Sequence, residues 1–152
     1  MSETMVVQEH VYDATIQITE MVDFGLDLKA IASKKAQIPP QGLRVNVAFK
    51  GELKGPKLQG TISGIDYLLM KPDGIGQLNV QAVITTSDGE RIAQRGDGVL
   101  TPQQDSSVSQ LRENIAFYSA SSKYGWVNRM QFWASGTSDL STGKILLKVF
   151  IA

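Results

Sequence analysis

The chain has no cysteine. Disulfides, thiolate nucleophiles and cysteine-based metal sites are therefore excluded. Histidine is almost absent as well: His10, in a polar N-terminal stretch, is the one imidazole. A three-histidine metal centre cannot be built from it, and a Ser-His-Asp triad would depend on an ill-placed residue. An excess of either charge is lacking, since 15 Lys plus Arg balance 15 Asp plus Glu. That balance argues against a strong pull towards nucleic acid or an anionic membrane. Long apolar runs are missing too. The opening MSETMVVQEHVYD reads as neither an export signal nor a membrane span. The expectation is a cytoplasmic chain that binds no nucleic acid and no membrane.

What is present is a succession of short alternating runs. In DATIQITEM, Ala14, Ile16 and Ile18 alternate with Thr15, Gln17 and Thr19. LRVNVAF sets Leu43, Val45, Val47 and Phe49 against Arg44, Asn46 and Ala48. QLNVQAVITT and KILLKVFIA repeat the pattern. A period of two marks half-buried strands. Asp73-Gly74 and Asp88-Gly89 supply tight-turn signals between such runs. Gly60 and Gly64 share one strand face, where glycine marks a sharp bend or the close approach of a ligand or backbone. Two stretches read differently. Leu26 to Ala36 has apolar residues at helical spacing, as a turn or two of helix or a loop ended by QIPPQG. The polar stretch from Ser106 to Asn114 suits a short helix capped by Asp105 or Ser106. RGDGVL, from Arg95 to Leu100, reads as a bulge or turn. At 152 residues the chain fits one domain, with residues 1–12 loosely attached. The fold class this predicts is all-β: a single antiparallel β-barrel with short helical or loop insertions, a sandwich being the neighbouring solution.

Four segments carry a further signal: FKGELKGPKLQGTISGIDYLLMKPDG, TTSDGERI, GDGVL and YGWVNRMQFWASG. Together, from about Gly42 to the end, they resemble the domain of unknown function 3237 family. The most specific pieces are Gly55-Pro56 with Leu58 and Gly60, and Tyr124 with Trp126 and Asn128. The sequence departs from the family pattern at Lys50, Leu53, Ile65 and Tyr67, where the family favours glycine, an aromatic residue, glycine and tryptophan. The resemblance implies a closed or nearly closed antiparallel barrel with a cavity sized for a small molecule. It implies no reaction.

Asp66 is the first candidate. It shares a strand face with Leu68 and Met70, so a barrel interior on that side would hold a desolvated carboxylate able to shuttle protons. A carboxylate that tops its strand and accepts backbone N–H groups is the commoner structural use. WVNRMQFWA, read as a strand, puts Trp126, Asn128, Met130 and Phe132 on a core face, with the Asn128 amide in need of a partner. It leaves Val127 and Trp133 on an outer face that suits an interface. Tyr124 and Tyr67 can each donate a phenolic hydrogen bond to an enolate or carbonyl, against ordinary packing with the hydroxyl in water. Arg44 can grip a carboxylate or carbonyl, against a solvated place on the outer wall. The serines Ser119, Ser121 and Ser122 lack a histidine partner.

The expected catalytic set is thus Asp66, Tyr124 and Asn128. Arg44, Tyr67, Leu68, Met70, Trp126, Met130 and Phe132 form the expected substrate-binding set, and neither a cofactor nor a metal is expected. Apolar walls with a few aimed polar groups describe a small-molecule pocket. The expected function is binding of a small carbonyl-containing metabolite, with proton-transfer chemistry of the isomerase, lyase or cyclase type if the chain is an enzyme. A non-catalytic binding module or an assembly module, most simply a homodimer, is the alternative.

Overall fold

Eight antiparallel strands close into one barrel in the computed structural model, which describes residues 8–34 and 36–152. They are β1 (Glu9–Asp23), β2 (Leu43–Lys54), β3 (Gly60–Met70), β4 (Gly76–Thr86), β5 (Arg91–Pro102), β6 (Val108–Tyr118), β7 (Phe132–Asp139) and β8 (Lys144–Ile151). Each strand pairs with the next, and β8 returns to β1. A short helix, α1 (Leu28–Ala32), lies between β1 and β2, and a 3-10 helix (Gly125–Arg129) precedes β7. Closure leaves no open sheet edge, which removes the usual liability of an all-β chain. No helix among the described residues is long and apolar enough to cross a membrane.

The alternation in the sequence becomes an inside and an outside. Val45, Val47 and Phe49 of β2 are buried, as are Leu78, Val80, Ala82 and Ile84 of β4. Bulges interrupt β1 between His10 and Tyr12 and between Ile18 and Glu20. Inward-facing glycines mark the points of tightest strand approach. A Cβ at Gly64 would collide with the Gln81 carbonyl oxygen and with Ala82 of β4. The Gly64 signal in the sequence therefore marks a neighbouring backbone.

Several local expectations are corrected. Ser106 to Asn114 is not a helix: Val108 onward is β6, with Leu111, Glu113, Ile115 and Phe117 buried along one face. RGDGVL is neither bulge nor turn but the middle of β5, with Gly96 and Gly98 in the ladder to β6. Residues 9–12 start β1 instead of hanging loose, and Val11 and Tyr12 are buried; residues 1–7 lie outside the described residues. The helical spacing near Leu28 does yield α1, started by Asp27, whose carboxylate accepts from the Lys29 and Ala30 N–H groups.

The two ends of the barrel differ. At the end carrying the β2–β3, β4–β5 and β6–β7 connections, aromatic rings fill the interior. Phe117 meets Phe132 edge-on with ring centroids 4.7 Å apart, and Trp126 and Tyr12 flank this pair. The opposite half, towards the β1–β2, β5–β6 and β7–β8 connections, is not filled.

Candidate active site in the barrel cavity

That unfilled half is a cavity of about 80 Å³. Its walls are mostly aliphatic: Ala14, Ile16, Val47, Leu68, Val80, Leu111 and Leu147 among others. Five polar side chains break this surface: Tyr12, Asp66, Gln94, Glu113 and Ser138. No lysine, arginine or histidine is among the lining residues.

Asp66 arrives from β3, in register between Val47 of β2 and Val80 of β4. Beside it the β3–β4 ladder is interrupted, pairing up to Asp66–Val80 and resuming at Leu69–Gln77. Within this gap the Asn79 N–H donates to Asp66 Oδ1 at 3.0 Å. The Tyr67 carbonyl accepts from Arg44 Nη1 at 3.4 Å. Asp66 thus satisfies a backbone group and also lines the cavity, but from within β3 and not from the top of its strand. Burial pushes its carboxyl up to about 6, against the lowering effect of the Asn79 N–H.

Glu113 comes from β6, between the inward-facing Leu111 and Ile115. It is 6% exposed. Burial raises its carboxyl to about 7, and the negative charges of Asp66 and Asp97 add to the effect. Gly96 of β5 lies beside it, where a Cβ would be 3.4 Å from Glu113 Oε1, an ordinary contact distance. Tyr12 Oη donates to Gln94 Oε1 at 3.4 Å. Burial first, then the neighbouring Glu113, drives the phenol well above its ordinary range, so Tyr12 stays a neutral donor. Near neutral pH the cavity therefore presents two carboxyls poised to gain or lose a proton, a phenol and an amide.

Of the residues expected at the site, the structure brings Asp66 and Leu68 to the cavity. The others lie elsewhere. Trp126, Asn128, Met130 and Phe132 do not share a strand face, because the 3-10 helix at Gly125–Arg129 breaks the alternation and β7 begins only at Phe132. Phe132 and Trp126 belong to the aromatic plug. Met130 is exposed. The Asn128 side chain is exposed and accepts from the Ser119 N–H at 3.0 Å and donates to the Ser119 carbonyl at 2.8 Å. Tyr124 is at the plugged end, where its hydroxyl donates to Asp88 Oδ1 at 2.8 Å. The same carboxylate takes Thr86 Oγ1 at 2.6 Å and pairs with Lys123, and these partners hold Asp88 well below the usual carboxylate range. Arg44 is exposed, on the outer wall, and Tyr67 is half-buried. Met70 is half-buried, with its sulfur near Gly76. Val127, expected outside, is 1% exposed and packs in the core, whereas Trp133 is half-buried beside Phe150, ring centroids 5.6 Å apart.

Sequence reasoning missed Tyr12, Gln94, Glu113 and Ser138. For Glu113 the signal existed and is the same as for Asp66: one carboxylate in an otherwise apolar alternating face, Leu111, Glu113, Ile115, Phe117. The assignment of that stretch to a helix hid it.

Known proteins place the fold. No curated protein matches the chain. Solved structures do. The crystal structure of a protein with unknown function from Clostridium acetobutylicum is 22% identical with a TM-score of 0.78, over 97% of this chain and 99% of that one. A beta-barrel like protein from Acinetobacter baumannii is 16% identical with a TM-score of 0.78, over 99% and 98%. An enzyme from Penicillium herquei is 18% identical with a TM-score of 0.68, over the whole of both chains. At these identities the likeness establishes the barrel and nothing finer. A family model matches residues 9–151, and so includes β1, which lies before the motifs that carry the resemblance in sequence. The chain belongs to the family described as Protein of unknown function (DUF3237).

Proposed function

We propose that the barrel binds a small, partly apolar, carbonyl-containing metabolite and moves protons on it, in the manner of an isomerase, lyase or cyclase. The observation that carries this reading is the pair Asp66 and Glu113, two carboxyls held near neutrality inside one apolar cavity. General acid–base catalysis works best with groups whose pKa lies near the working pH. Asp66, with the lower value of the two, is the base that removes a proton from carbon or oxygen. Glu113, still partly protonated at pH 7, is the acid that donates to the developing oxyanion. Tyr12 and Gln94 orient the substrate by hydrogen bonds. The Penicillium herquei relative is an enzyme, which fits a catalytic use of this fold.

Native mass spectrometry of protein purified from its own host, with identification of the released small molecule, tests the binding. A copurified carbonyl compound is the expected result. With that compound, Asp66→Asn is expected to lower turnover by about 100-fold or more. A change in affinity alone would assign the cavity to a non-catalytic binding module. An empty cavity in a chain of fixed dimer mass would favour the assembly reading.

A further inference from the structure

We infer that the cavity's ligand carries a basic nitrogen: a largely apolar amine that enters as its ammonium and seats that group between Glu113 and Asp66. This rests on the reading of the cavity as the ligand site and does not depend on turnover.

The two carboxyls are short of donors. Glu113 is 6% exposed and faces the cavity. Among the described residues nothing donates a hydrogen bond to it, and its shift is caused by burial and neighbouring negative charge alone. A polar side chain this buried is normally satisfied, and an unsatisfied one is costly. Asp66 accepts one backbone N–H, from Asn79 on Oδ1. The groups whose charge reaches Glu113 are Asp66 of β3 and Asp97 of β5, both acidic, and Tyr12 of β1 stays neutral beside it. No lysine, arginine or histidine lines the cavity. The interior thus holds two acids without a cation of its own.

Ligand classes separate on this ground. A carboxylate or phosphate would add a negative charge beside Asp66, and both desolvation and repulsion oppose it. A neutral carbonyl or alcohol can pair with Glu113 but leaves the Asp66 charge unbalanced. An ammonium has three donors and a positive charge. It satisfies both carboxyls, while the aliphatic walls take its hydrocarbon part. A cation seated there favours the ionised form of both carboxyls, so a ligand of this class meets Glu113 as an acceptor and not as the acid proposed above.

The test compares benzylamine, benzyl alcohol and benzoate, three probes of one shape and different charge. Isothermal titration at pH 7 is run in two buffers of different ionisation enthalpy, which counts protons exchanged. Benzylamine is expected to bind at least about tenfold more tightly than benzyl alcohol, benzoate to bind not at all, and any proton exchanged on amine binding to be released rather than taken up. In Glu113→Gln the amine's advantage is expected to shrink several-fold. Wild-type protein alone already decides the matter if the variant folds poorly. Benzyl alcohol binding as tightly as benzylamine would overturn the amine and leave the cavity as a ligand site. Failure of all three, and of hexylamine, hexanol and hexanoate, would overturn the cavity reading itself.

Discussion

Asp66 and Glu113 are destabilising where they stand, and the cost depends on pH. Each has a folded-state pKa raised above its unfolded value, Asp66 to about 6 and Glu113 to about 7. The folded chain therefore holds more protons than the unfolded chain between about pH 4 and pH 7, and stability falls as pH rises through that window. Glu113→Gln removes the ionisation while keeping the shape. Near pH 4 the variant and the parent should be equally stable, since Glu113 is then neutral. At pH 8 the variant should be more stable, by up to about 3 kcal/mol for a carboxyl raised from 4.5 to about 7. Urea unfolding at the two pH values reads this directly. A variant no more stable at pH 8 would mean that water in the cavity solvates the carboxylate fully. Both residues obey one rule visible in the sequence, a carboxylate in an apolar alternating face. It exposed Asp66 because its neighbours alternate as a strand, and hid Glu113 because the polar stretch from Ser106 to Asn114, with Asp105 or Ser106 as cap, suits a short helix. Tyr12 and Gln94 gave no such signal: a tyrosine and a glutamine suit either side of a barrel wall.

At the level of elements, the segment from Ser119 to Met130 shows where parity reasoning fails. Its aromatic residues look like a core strand, yet a 3-10 helix folds them over the barrel end. The Asn128 side chain holds that helix to the end of β6 through the Ser119 N–H and carbonyl. Ser119 is buried, so removing the amide leaves backbone groups unpaired in a dry place. Asn128→Ala is expected to cost about 1–3 kcal/mol of stability and to leave probe affinity in the cavity unchanged. Titrating the variant with the cavity probes, alongside its urea midpoint, separates this positioning role from the catalytic place expected from the sequence. A tenfold loss of affinity at unchanged stability would restore the latter. The β7–β8 pair supplies a second case. A Cβ at Gly136 would collide with the Leu146 carbonyl oxygen across the ladder. Gly136→Ala should therefore lower the urea midpoint markedly, because the obstacle is backbone and cannot rotate away. Such close approaches depend on how strands coil around one another in three dimensions. The sequence marks the glycine but not its neighbour.

For the whole molecule the consequence is an asymmetric barrel, packed with rings at one end and hollow at the other. Periodicity placed most of the strands and their inward faces, since a period of two survives any arrangement of the sheet. It could not say at which height along the axis the interior is filled, because that depends on the stagger of all eight strands. Two alanines measure the asymmetry. Ala14 of β1 is 3% exposed and lines the cavity, whereas Ala134 of β7 is 0% exposed and stands outside the cavity wall. The same substitution should therefore have opposite consequences. Ala134→Leu forces three extra carbons into a space already filled, which is expected to cost about 1–3 kcal/mol or more. Ala14→Leu extends into empty volume, so its stability should stay within about 1 kcal/mol of the parent. Its price falls on binding instead, because the new side chain occupies the space a ligand needs. Paired urea curves and titrations with the cavity probes measure both quantities. Equal destabilisation by the two substitutions would mean that the cavity end is packed in solution as tightly as the aromatic end, and the case for a ligand there would go with it.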